Sequence, residues 1–184
     1  MSATSAPFGL RASYSPMGVV RPQAMTILTA YGANILQNQP VKIGANGTVE
    51  AAAINDSFIG TFCGVEFTDT DGRRRVSNKW TSGTSATDII AYVTLDPTMV
   101  YEIQSNAALN VLNIGEQYDF TTITAGNATT GLSQLMLDVA STAANASLRL
   151  IGITPGPDNN WGDNFVIAQV QISEHQNVAD RIAY

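Results

Sequence analysis

Apolar and polar side chains alternate over short stretches of this chain, and clusters of Gly, Pro, Asn and Asp interrupt the alternation at close intervals. A period of two sends successive side chains to opposite faces of a strand, so the stretches read as short strands and the clusters as turns. The stretch over residues 58–80, FIGTFCGVEFTDTDGRRRVSNKW, organises the rest. Ile59, Thr61, Cys63, Val65 and Phe67 fall on one face, and Phe58, Gly60, Phe62, Gly64 and Glu66 on the other. Apolar groups on both faces predict a central strand, covered on each side in its first half. Asp71-Gly72 supplies a tight turn, because glycine takes positive φ without a Cβ clash, and Val76 and Trp80 lie on the return. Gly60 and Gly64 weaken a strand unless backbone or a ring packs close, so they predict a bend or bulge.

The same reading places strands over residues 40–43 and 48–53 about an Asn46-Gly47 turn, then over 89–95 and 99–104. Residues 81–88 form a loop by composition. Beyond 105 the pattern weakens. Residues 118–123 are β-prone, Gly126-Asn127 and Thr130-Gly131 resemble turns, and Leu135, Leu137 and Val139 share one side of a strand over 132–139. A small-residue connection over 140–146 leaves room for one helical turn. Strands over 147–153 and 164–173 complete the set, the last with Val166, Ala168, Val170 and Ile172 inward. Evenly spaced short strands without a helical crossover predict an all-β protein, a β-sandwich or barrel-like body of short antiparallel strands.

Residues 1–31 differ from this body. Pro7, Gly9, Pro16, Gly18 and Pro22 exclude a long helix or a central strand there. Larger residues stand between the breakers, and a disordered tail lacks such anchors. The segment reads as an extended N-terminal arm that grips a partner, with residues 32–184 as the body and a subdivision near 105. Phe8, Leu10, Arg11, Tyr14, Val19 and Arg21 are the candidate partner-interface residues: apolar anchors, and two arginines to pair with acidic groups. Residues 23–31 read as either a short helix or a first edge strand.

Composition sharpens this picture. Only 13% of the residues are charged, with lysine confined to Lys42 and Lys79, so Ser, Thr, Asn and Gln build most of the polar surface. A surface this poor in charge is weakly protected against association and suits one covered by partners, including a second copy of the chain. A net charge of −6 argues against a nucleic-acid partner, since such affinity rests on Lys and Arg neutralising phosphates. No apolar run reaches the length of a membrane span, and the N-terminus lacks the pattern of a signal peptide.

The inventory of catalytic chemistry is empty, and no enzyme activity, cofactor or metal is expected. Cys63 is the single cysteine and reads as a small core hydrophobe; His175 is the single histidine and reads as a solvated or interface residue. Asp69-Thr70-Asp71-Gly72 opens like a calcium loop, but Arg73-Arg74-Arg75 follows where oxygen ligands would be needed. Trp80 and Trp161 are the residues able to stack on a sugar ring, although core packing or interface anchoring is their commoner use.

The phrases SAPFGLRASYSPMGVVRP, NQPVKI, IGTFCGVEFTDTDGRRRVSNKW and LDPTMVYEIQ together resemble tailed-bacteriophage virion proteins, with head decoration, or cement, proteins as the nearest group. The resemblance covers roughly two thirds of the chain by layout and phrase, and carries no functional motif. It implies a non-enzymatic protein on the capsid exterior, assembled in the bacterial host cytoplasm, that binds the major capsid protein and itself, as a trimer first and a dimer second. The long second half departs from compact decoration proteins. The alternative is a phage tail or surface module that recognises glycans through Trp161 and its loop.

Overall fold

The computed structural model describes residues 4–122, 126–142 and 146–178. The chain is all-β, and every named strand pair is antiparallel. One sheet runs in the order β1 (Arg11–Tyr14), β8 (Val100–Gln104), β14 (Ile167–Ile172), β13 (Leu148–Ile153), β9 (Gln117–Phe120) and β12 (Leu137–Asp138). The other runs β2 (Pro22–Met25), β7 (Ala86–Thr94), β5 (Gly60–Asp69), β3 (Pro40–Ile43) and β4 (Val49–Ala51), with β6 (Arg74–Ser77) also paired to β5. A two-residue ribbon joins β10 (Gly126–Asn127) to β11 (Leu132–Ser133), and Val111–Asn113 forms a 3-10 turn.

Each sheet has its own core. The first gathers Leu10, Phe58, Tyr101, Ile103, Tyr118, Phe120, Leu148, Val170 and their neighbours. The second gathers Ile35, Val41, Ile59, Phe62, Val65, Trp80, Ala91 and Val93. Full burial of a side chain of this size removes apolar area worth about 1.5–3 kcal/mol from water, which makes these two clusters the main support of the fold. Between the sheets lies a buried polar chain: Thr94 Oγ1 stands 3.1 Å from Thr61 Oγ1 and 3.0 Å from the Tyr101 hydroxyl, and accepts from the Thr61 N–H at 2.9 Å. Burial pushes the Tyr101 phenol far above its ordinary value, so it stays a neutral hydrogen-bonding group.

The expected central hairpin is present. β5 lies between β7 on one edge and β3 and β6 on the other, and Gly72 at φ 78° donates its N–H to the Asp69 carbonyl at 2.9 Å. The expected division of its faces holds in part: Ile59, Val65 and Phe67 share the second core as expected, but Phe62 joins them and Cys63 leaves. Phe62 pairs with Val93 while Gly64 pairs with Tyr92, so Cys63 is an extra residue on β5. Such a bulge shifts the pairing parity locally, and a second irregularity follows between Glu66 and Thr68. Phe62 and Val65 therefore both enter the second core, whereas Cys63 lies half-buried in the wall of an outer groove rather than in that core. The strand over 132–139 is two short pieces, β11 and β12, and Gly126-Asn127 is a strand rather than a turn. The helical turn considered for 140–146 falls partly on residues 143–145, which lie outside the described residues.

The arm is extended and lies on its own body. β1 pairs with β8 and β2 with β7, so the first 31 residues supply an edge strand to each sheet. Of residues 23–31, only 23–25 belong to the edge strand, which Pro22 opens, where a missing N–H does little harm to a sheet; 26–31 are loop and turn. Strands thus begin at Arg11, well before residue 32, and the described part of the arm, residues 4–31, pairs with both sheets. Chain order also returns to the first sheet before 105, because β7 ends at Thr94 in the second sheet and β8 begins at Val100 in the first.

Candidate interaction surface

The six candidate residues of the arm divide into two groups. Leu10 is fully buried in the first core, and its N–H donates to the Asn38 carbonyl at 2.9 Å. Phe8 is half-buried, with its carbonyl held by Asn38 Nδ2 at 3.1 Å and the Arg11 guanidinium 4.6 Å above its ring. Arg11 reaches Glu102 at 2.5 Å, and Ser13 Oγ reaches the second carboxylate oxygen at 3.1 Å. Burial alone would lift the Glu102 carboxyl; the Arg11 and Ser13 hydrogen bonds outweigh it and hold the group below its ordinary value. Phe8, Leu10 and Arg11 are therefore used within the chain. Leu10 in particular is a core residue, which corrects its assignment to a partner interface.

Tyr14, Val19 and Arg21 remain outward. Tyr14 is 46% exposed, Met17 81% and Val19 67%, and Arg21 is exposed beside them. Tyr14 ends β1, and Met17, Val19 and Arg21 ride on the connection between β1 and β2, whose base is fixed. Ser15 is buried, donates to Asp96 Oδ2 at 2.5 Å and accepts from the Met17 N–H at 3.1 Å. The Gly18 N–H closes a turn on the Ser15 carbonyl at 2.8 Å. A turn held this way presents its apolar side chains at little further cost in order when something binds them.

The connection leads into a groove of about 570 Å³ on the outer face of the second sheet, lined by Pro22, Cys63, Gly64, Val65, Val76, Ser77, Asn78 and Tyr92. Val76 is 81% exposed, an unusual position for a β-branched residue in a strand that otherwise carries arginines. The Tyr92 hydroxyl donates to Glu66 at 2.7 Å, and Arg74 meets the same carboxylate at 3.3 Å. The Tyr92 hydrogen bond, with Arg74 beside it, keeps the Glu66 carboxyl below its ordinary value. The groove thus combines an apolar floor with a neutralised rim. Sequence reading misses this groove. The exposed alternation of Val76 between Arg75 and Ser77 is its one local signal.

The other chemical candidates are spoken for. Asp69 and Asp71 meet Arg75 at 2.5 and 3.1 Å, and they accept from the N–H groups of Thr70 and Arg73 at 2.7 and 3.0 Å. They serve the turn. Among the described residues no group of three or more His, Cys, Asp and Glu side chains is placed to hold a metal. Burial pushes the Cys63 thiol up, away from the reactive thiolate. Trp80 is fully buried and meets Phe67 edge-on at 5.7 Å, and Trp161 is partly buried against the first core. His175 is buried, which sets aside the solvated half of the solvated-or-interface reading.

No protein-family model, curated protein or solved structure matches the chain. A functional reading therefore rests on the residues themselves.

Proposed function

We propose that this chain is a non-enzymatic virion structural protein that binds the outside of a phage capsid and stabilises the head lattice, as a decoration or cement protein does. The observation that carries the reading is the pinned β1–β2 connection, which holds Tyr14, Met17 and Val19 outward and runs into an apolar groove. Low overall charge and the all-β body agree with it. The partners are the major capsid protein and further copies of the same chain, with a trimer suited to the three-fold positions of a lattice and a dimer as the second choice. Glycan recognition is the weaker reading, because Trp80 is wholly inside and Trp161 packs inward. Co-sedimentation with capsid shells tests the proposal: saturable binding to shells supports it. Absence of shell binding, together with saturable binding to an oligosaccharide array, would replace it with the recognition module.

A further inference from the structure

After β14 the chain leaves the first sheet and crosses to the second. Residues 174–176 lie alongside Phe58 in an isolated parallel bridge centred on His175. The Phe58 N–H donates to the Glu174 carbonyl and the Gln176 N–H to the Phe58 carbonyl, both at 3.2 Å. The Gln176 side chain then clasps the backbone of Ile43 on β3, accepting from its N–H at 2.7 Å and donating to its carbonyl at 3.3 Å. Phe58 belongs to the first core and Ile59, beside it, to the second. This crossing therefore ties the two sheets together where their cores meet.

The imidazole at its centre is fit for one charge state. His175 is 7% exposed. Its Nδ1 accepts from the Asn177 N–H at 3.1 Å, so the single proton of the neutral ring sits on Nε2, which is buried beside the Ile59 backbone without a close hydrogen bond. A second proton would put an N–H on Nδ1 against the Asn177 N–H, donor facing donor, and would place a charge among apolar groups. Asp96 faces the ring from the connection after β7, but both of its oxygens are already engaged, by Ser15 at 2.5 Å and by Thr98 at 2.7 and 2.8 Å. The segment at 58–59 offers backbone only, and Glu174 stands next in sequence. Burial pushes the imidazole below its ordinary value, with the Ile59 backbone and Asp96 opposing but not reversing it.

We propose that residues 174–176 are an acid-sensitive latch between the two sheets, with His175 as the group whose protonation opens it. The sign follows from proton counting. With the latch open the ring titrates near 6.5, and with it closed lower, so the open form binds more protons between those values. The latch is fully stable above 6.5, weakens as pH falls to the lower value, and changes no further below it. The carboxylates of Asp56, Glu66, Asp69, Asp96, Glu102 and Glu116 all sit below their ordinary values, so they are already ionised near 6.5, where the linkage begins.

His175 is the only histidine, so its C2–H resonance reports the titration without ambiguity. Amide exchange at Phe58 and Gln176, measured between about pH 7.5 and about pH 5, reports opening; one linked proton lowers protection by up to about tenfold per pH unit. The expected result is a ring midpoint below 6.5, a fall in protection at both amides beneath that pH, and no such slope in His175→Gln. A flat protection profile in the wild-type protein overturns the proposal, as does the same slope persisting in His175→Gln. Should the variant fail to fold, the wild-type ring decides: a midpoint at or above 6.5 overturns the latch.

Discussion

Gly60 lies directly beneath the Thr94 carbonyl: a Cβ at residue 60 would fall 1.6 Å from that oxygen. The contact sits where β5 enters the second sheet and where Thr94 anchors the polar chain to Thr61 and Tyr101. Neither partner is a flexible side-chain end, so the backbone itself must yield to any larger residue. Gly60→Ala is expected to cost about 3 kcal/mol or more, at the upper end of overpacking substitutions. Gly72 is the control, because its φ is 78° yet nothing stands within 4 Å of where a Cβ would project at the hairpin tip. There Gly72→Val should cost only about 1 kcal/mol, the conformational penalty of a β-branched residue at positive φ. Urea unfolding of both variants checks the contrast; equal costs would mean that the close approach at Gly60 is relieved elsewhere.

Leu10 and Val19 belong to the same arm and should respond to substitution in opposite ways. Leu10 is fully buried and Val19 is 67% exposed. Leu10→Ala is expected to destabilise the fold by about 2–5 kcal/mol, whereas Val19→Ser should stay within about 0.5 kcal/mol. Deletion of residues 2–22 removes Leu10 and all of β1, uncovering the edge of β8, and should lower the melting temperature sharply or abolish folding. A truncated protein that melts with the full-length chain would show that the arm contributes nothing to its own body.

What the sequence makes legible is local. Asp71-Gly72 identifies the hairpin, and the period of Val166, Ala168, Val170 and Ile172 marks the inward face of β14. The positions of Phe62 and Cys63 on β5 escape this reading because Cys63 is an extra residue there, and Gly64 hints at a bulge without saying where the count changes. The arm escapes it for a different reason. Its Pro and Gly residues exclude central strands, but edge strands tolerate them, and whether an edge is supplied to the same chain or to another is decided by residues far away, such as Glu102 for Arg11. His175 stands in a polar stretch, and only the crossing of residues 174–176 over Phe58 buries it.

The Arg11–Glu102 pair gives the fold a dependence on acid distinct from that of His175. Glu102 is held below its ordinary value of 4.5 by Arg11 and Ser13 against the effect of burial. The folded state therefore binds fewer protons than the unfolded one just below that value. Its contribution is complete above 4.5 and is lost as pH falls through the lower folded value. Glu102→Gln should flatten this part of the stability profile, leaving a modest loss of about 1 kcal/mol at neutral pH because Arg11 is half solvent-exposed. Thermal melts from neutral to acid pH check it. An unchanged acid limb in the variant would assign that limb to other carboxylates.

Attachment to a capsid shell should depend on the outward part of the arm and not on the inward part. Met17 and Val19 are held on a connection whose base is fixed by Ser15 and Asp96, so their burial against a partner requires little further ordering of the chain. Each large apolar side chain fully buried on binding contributes about 1.5–3 kcal/mol before the loss of motion is subtracted. Every 1.4 kcal/mol corresponds to about tenfold in affinity. Met17→Ser combined with Val19→Ser is thus expected to weaken shell binding by roughly a hundredfold while leaving the melting temperature within a degree or so of wild type, since neither side chain supports a core. Val76→Ser, at the groove, should weaken binding only if the contact extends past Pro22 onto the outer face of the second sheet. Titration of shells with each variant at matched concentration separates the cases. Wild-type occupancy by the double variant would remove the β1–β2 connection from the interface, and loss of occupancy accompanied by loss of melting temperature would show that folding, rather than contact, had been disturbed.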